Sequence, residues 1–101
     1  MIIYNTTYQV DKETEDEFIL WLKENYIPRA MIRGELSEPQ LCKVITPDYY
    51  EGSSFSLQFH VKDTRILSLW YEKVGKMLQE ELVTCFGEKV VGFNTLLEII
   101  A

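Results

Sequence analysis

The chain has 101 residues, 47% of them hydrophobic and 26% charged, which is the composition of one ordinary globular domain spanning residues 1–101. Its formal net charge of −6 repels phosphate backbones and anionic bilayers, and no segment carries a Lys/Arg stripe, so nucleic-acid and membrane-surface binding are disfavoured. No apolar run approaches the roughly 20 residues of a membrane span, and the amino terminus lacks a basic, apolar and small-residue leader pattern, so a cytoplasmic location is expected.

From Ile2 to Val10 bulky residues occupy the even positions Ile2, Tyr4, Tyr8 and Val10, while Asn5, Thr7 and Gln9 are polar on the odd side. This alternation predicts a first strand with one face in the core. Asp11 and a Thr14/Glu17 capping box then open a helix whose acidic start suits the helix dipole. Phe18, Trp21, Leu22 and Tyr26 follow at helical spacing. Pro28 predicts a kink or restart near Tyr26–Ile27, with Gly34 ending the segment.

Glu35 to Pro39 reads as a polar connection and Gln40 to Thr46 as a second strand, with Leu41 and Ile45 facing opposite to Cys42 and Val44. Residues 47–52 carry the turn chemistry of a hairpin loop, in which Tyr49 and Tyr50 read as a brace. Phe55 to Val61 is the clearest strand of the chain: Phe55, Leu57, Phe59 and Val61 point one way, Ser56, Gln58 and His60 the other. Asp63 or Thr64 caps a second helix with a stripe of Leu67, Trp70, Val74, Met77, Leu78 and Cys85, stopped at Phe86-Gly87. Lys89 to Ile100 closes the chain as a strand that is apolar on both sides.

The order strand, helix, strand, strand, helix, strand is the split βαβ arrangement of ferredoxin-like α+β domains. It predicts a four-stranded antiparallel-type sheet with both helices on one face. The first and third strands are expected at the centre, parallel to each other, with the fourth beside the first and the second beside the third. Tyr4, Tyr8, Phe55, Leu57 and Phe59 then meet Phe18, Trp21, Leu22, Leu67, Trp70 and Val74. The opposite face, roughly 400 Å² from strand spacing and rise, mixes Ile3, Val44 and Val90 or Leu96 with polar groups. A symmetric homodimer, sheet against sheet, covers it most simply. The enclosed space is lined by Asn5, Thr7, Ser56, Gln58 and His60.

Met1-Ile2-Ile3-Tyr4-Asn5, Ile27-Pro28 with Met31 and Gly34, Cys42, Gln58, and Phe86-Gly87 with Lys89, Val90, Phe93, Thr95 and Glu98 resemble a family of short bacterial proteins known only as a domain of unknown function. The resemblance runs essentially end to end and implies the dimeric α+β barrel fold. That superfamily includes cofactor-free monooxygenases, haem-degrading monooxygenases, muconolactone isomerases, stress-responsive barrel proteins and amino-acid-sensing domains, and the fold does not choose among them. Many relatives carry histidine where this chain has Tyr26, which puts a mechanism needing that imidazole in doubt. Asn5 and Trp70 match part of the haem-degrading pattern, but no histidine lies on the second helix, which counts against haem chemistry.

Cys42 and Cys85 stand far apart and outside any CxxC pair, so buried free thiols are expected rather than a disulfide. With one histidine there is no ligand cluster of recognisable spacing, and neither metal nor cofactor is expected. His60 is the best catalytic candidate by intrinsic pKa, against the plainer reading of a solvated strand-end residue. Asn5 and Gln58, on adjacent strands, either converge on a carbonyl or bond within a dimer interface. Tyr26 either offers a phenol to a cavity or simply packs its ring. Three functions remain open: a homodimeric small-molecule binding or sensing protein, a cofactor-independent monooxygenase or isomerase, and a structural module whose interface is filled.

Overall fold

A computed structural model describes residues 1–45 and 52–101. The hairpin loop with Tyr49 and Tyr50 lies outside them. Among the described residues β1 (Ile2–Val10), β2 (Ser37–Lys43), β3 (Ser53–Val61) and β4 (Val90–Glu98) form one sheet in the order β2-β3-β1-β4. Both helical rods pack on one side of it, giving a ferredoxin-like α+β fold.

One detail of the expected topology is corrected: β1 and β3 are adjacent but antiparallel. The helical crossover makes β2 parallel to β1. The β2–β3 hairpin then reverses the chain, so a β3 inserted between them opposes both. β2 is also shifted, starting at Ser37 rather than Gln40 and ending at Lys43. Pro39 made its first residues read as a connection. On an edge strand the missing N–H is tolerated, and a register shift between Ser37 and Gln40, with Glu38 at φ +51°, absorbs the irregularity.

The first rod joins a 3-10 turn (Lys12–Thr14), α1 (Glu15–Trp21), a π turn (Leu22–Tyr26) and α2 (Ile27–Ala30). Pro28 lies in the first positions of α2, and the π turn just ahead accommodates its missing N–H without ending the rod. The Thr14/Glu17 capping box does not form, since neither Asp11 nor Thr14 caps with its side chain. Glu15 instead accepts from Ser53 Oγ at 2.8 Å and Lys43 Nζ at 3.2 Å, fastening the start of the rod to the β2–β3 hairpin.

The second rod runs through α3 (Thr64–Trp70), a π turn (Tyr71–Gly75) and α4 (Lys76–Phe86). Asp63 Oδ1 accepts from the Ile66 N–H at 2.9 Å, the cap its sequence position predicts. Gly87 at φ +56° ends the rod. Its buried face is Trp70, Val74, Leu78, Leu82 and Phe86, every fourth residue, whereas Met77 and Cys85 are exposed. The i→i+5 bonding of the π turn explains the miss, because it rotates the rest of the rod relative to an uninterrupted α-helix. Cys42 and Cys85 are both free and exposed, which corrects the expectation of buried thiols.

Tyr4, Tyr8, Phe55, Leu57 and Phe59 pack against Phe18, Leu22, Trp70 and Val74, with Trp21 and Leu67 half-buried at the margin. Each fully buried Leu or Phe contributes about 1.5–3 kcal/mol to this core. Trp70 joins both rods: its Nε1–H donates to the Ala30 carbonyl at 2.8 Å, and its ring lies against Gly75. A Cβ on Gly75 would stand 2.5 Å from Trp70 Cζ3, and Trp70 is only 1% exposed, so the ring has nowhere to move. Gly75→Ala is therefore expected to lower the unfolding free energy by about 1–3 kcal/mol, as overpacked cores do, read from a shift in the urea midpoint.

Candidate functional site

The strict alternation of β1 and β3 gives the sheet two chemically different faces. On the helix-free face Asn5 pairs with Gln58 and Thr95, Thr7 with Ser56 and Phe93, and His60 with Ile3 and Ser37. The five candidates Asn5, Thr7, Ser56, Gln58 and His60 therefore share one surface. Asn5 Nδ2 donates to Thr7 Oγ1 at 3.1 Å, and Ser56 Oγ donates to Asn5 Oδ1. The Asn5 amide is thus engaged within the sheet by Thr7 and Ser56 rather than converging with Gln58.

The apolar part of this face differs from the expected set. Val90 pairs with Val10 and is buried under the helices, and Leu96 pairs with Tyr4 on that same side. The apolar helix-free residues of β4 are Val91, Phe93 and Leu97, which are 58%, 54% and 44% exposed. They continue the surface of Ile3 across the edge of the sheet.

Tyr26 lies on the other side. It lines a cavity of about 290 Å³ between the second rod and the β1–β4 half of the sheet, together with Tyr4, Tyr8 and Tyr71. Both π turns contribute, the first through Tyr26 and the second through Tyr71 and Gly75. Such turns often mark functional sites, since they turn side chains out of the regular helical rows. From the sheet come Tyr4, Thr6 and Tyr8 of β1, with Gly92 and Asn94 of β4. A Cβ on Gly92 would meet Tyr8 Cδ1 at 2.9 Å, so only glycine lets that ring lie against the strand.

The rings are held from behind. Tyr4 meets Trp70 edge-on at 5.6 Å, Tyr8 meets Phe18 at 5.0 Å, and Tyr26 lies 5.8 Å from Trp21. Thr6 Oγ1 donates to Asn94 Oδ1 at 2.9 Å, tying the two strands together inside the cavity. Burial pushes the Tyr8 and Tyr26 phenols well above the ordinary tyrosine range, with Tyr4 adding repulsion to each, and burial raises Tyr4 as well. These hydroxyls are protonated at neutral pH, so each is able to donate a hydrogen bond.

Sequence reasoning placed Tyr4 and Tyr8 in the core and did not single out Thr6, Tyr71 or Asn94. A signal was present: Tyr4, Thr6 and Tyr8 put three consecutive hydroxyls on the core-facing side of one strand. A purely apolar core has no use for that pattern.

The family described as a domain of unknown function (DUF4286) matches residues 1–100. The chain belongs to this family. No curated protein matches the DUF4286 chain by sequence. Among solved structures it is similar to HapK from Hahella chejuensis, with 11% identity and a TM-score of 0.72 over 99% of this chain and 93% of that one. An ethyl tert-butyl ether (EthD) family protein from Bacillus halodurans aligns with 10% identity and a TM-score of 0.70, covering 99% of this chain and all of the other. A dimeric ferredoxin-like protein from an uncultured marine organism gives 13% identity and a TM-score of 0.61, over 99% of this chain and 96% of that one. At such identities the likeness concerns the fold, and the chemistry must be read from this chain's own residues. Among the described residues no helix is long and apolar enough to cross a membrane.

The buried phenols make an alkaline prediction. Their folded-state pKa values lie above the value of about 10 they have in the unfolded chain, so their contribution to stability is complete below pH ~10 and is lost progressively above it. In a spectrophotometric titration at 295 nm, Tyr8 and Tyr26 should stay protonated beyond the exposed Tyr71 and ionise only together with unfolding. Tyr8→Phe should remove one such late-titrating group. A full tyrosine count ionising near pH 10 in the native protein would contradict the burial.

Proposed function

We propose that this DUF4286 protein is a homodimeric small-molecule binding or sensing protein whose ligand occupies the tyrosine-walled cavity between the second helical rod and the β1–β4 half of the sheet. The observation that carries this reading is the cavity itself: about 290 Å³, close to the lower limit of typical ligand pockets, with polar groups from four separate parts of the chain. A filled structural core would close such a space with side chains. Binding is favoured over catalysis because the phenols are held protonated and the chain's only histidine is on the opposite face of the sheet.

The helix-free face is then the interface between copies. Three of its strands are nine residues long, so at about 3.4 Å per residue and 4.8 Å between strands it measures roughly 30 by 20 Å. Two such faces together exceed the roughly 1,000 Å² expected of a specific interface. Ile3, Val91, Phe93 and Leu97 supply its apolar part, and Asn5, Thr7, Ser56, Gln58 and His60 its polar part. The structurally similar ferredoxin-like protein is described as dimeric, which supports this arrangement.

Two measurements test the two halves of the proposal. Phe93→Asp places a charge in the middle of the apolar strip and should convert a dimer into a subunit of 11.9 kDa by light scattering, with helical circular dichroism unchanged. A wild-type protein that is already monomeric at working concentration would defeat the interface. Val83 is 55% exposed on the cavity wall, so Val83→Trp should occlude the space without disturbing the core. Mass spectrometry of small molecules released from the purified protein should then find a compound enriched with the wild type and lost with Val83→Trp. Identical small-molecule content in the two proteins would count against the cavity as a binding site.

A further inference from the structure

The chemical class of the ligand is legible in the wall of the cavity, and the inference rests on the binding reading above. Among the described residues that line the space there is no Lys, Arg, His, Asp or Glu. A buried anion there would have no countercharge, and a buried cation no carboxylate. The remaining way to hold a cation is on the faces of aromatic rings. Three of the four are engaged elsewhere: Tyr4 abuts Trp70, Tyr8 lies between Phe18 and Gly92, and Tyr26 abuts Trp21. The fourth, Tyr71, is half-exposed, so water competes for a cation on its single ring face.

The polar groups left for a ligand are uncharged: the amides of Asn94 and Gln79 and the phenols of the wall. Asn94 Oδ1 already accepts from Thr6, which leaves the Asn94 amide N–H groups at the exposed rim of the cavity. The phenol of Tyr71, half-exposed on the second π turn, stands on the opposite side of the same space. We propose that the cavity selects a compact, uncharged molecule bearing a hydrogen-bond acceptor such as a carbonyl oxygen, received by the Asn94 amide and the tyrosine hydroxyls, and that it rejects carboxylates and ammonium ions of the same size. The acceptor satisfies the donors, and the uncharged body loses little hydration on entering.

Three probes of equal size and different charge decide this: benzamide, benzoate and benzylammonium, each titrated into the wild-type protein near neutral pH. The readout is the backbone amide resonances of Gly75 and Gly92, which flank the cavity on helix and strand. Benzamide should move both saturably, with a dissociation constant at least tenfold below those of the two ions. Asn94→Leu should weaken benzamide at least fivefold without admitting either ion. Equal or tighter binding of benzoate or benzylammonium at the same resonances overturns the charge selection and leaves the cavity as a binding site. Full benzamide affinity in Asn94→Leu overturns the assignment of the acceptor to Asn94. If none of the three moves Gly75 or Gly92, the binding reading falls and this inference falls with it.

Discussion

The packing of Trp70 is the constraint on which the rest of this structure depends. Its indole N–H ends on the last carbonyl of α2, its ring fills the space that a side chain on Gly75 would need, and its edge meets Tyr4 on the central strand. One side chain thereby fixes the two rods relative to each other and both relative to the sheet. A buried hydrogen bond of this kind contributes only about 1 kcal/mol net, but leaving its partners unsatisfied costs more, so the geometry tolerates little variation. Tyr4 is held by this contact at the wall of the cavity.

The sheet separates two tasks by the simplest device available to a strand. Successive residues of β1 alternate between a face that meets Trp70 and Phe18 and a face that no helix covers among the described residues. On the helix side Tyr4, Thr6 and Tyr8 build a polar wall inside an otherwise apolar core. On the bare side Ile3, Asn5 and Thr7 continue into Phe93 and Ser56. A slip of one residue in the β1 register would exchange these two sets, and the cost of exposing Tyr4 and Tyr8 while burying Asn5 and Thr7 under the helices fixes the register.

The cavity exists because both rods depart from regular α geometry at matching places. Each has a π turn directly after a tryptophan, Trp21 in the first and Trp70 in the second, and each turn delivers a tyrosine to the same space. Gly75 lets the Trp70 ring lie against its own rod, and Gly92 lets the Tyr8 ring lie against the neighbouring strand β4. Each buried phenol needs a hydrogen-bond partner that a phenylalanine in its place would not, so the tyrosine cluster is a demand an ordinary apolar core does not make.

The order of elements, the ferredoxin-like layout, the Asp63 cap, the glycine stop at Gly87 and the two faces of β1 and β3 are all legible in the amino-acid sequence. All of these follow from short-range periodicity and local backbone chemistry, which are written in consecutive residues. Tertiary structure decided the antiparallel pairing of β1 with β3, the four-residue stripe that leaves Met77 and Cys85 in solvent, and the side of β4 that remains bare. It also decided that Tyr26 faces Tyr4, Tyr8 and Asn94 rather than the surface carrying His60 and Gln58. The reason is that a π turn changes the phase of everything after it, and a cavity is made by residues far apart in the chain, so neither leaves a periodic mark in the sequence.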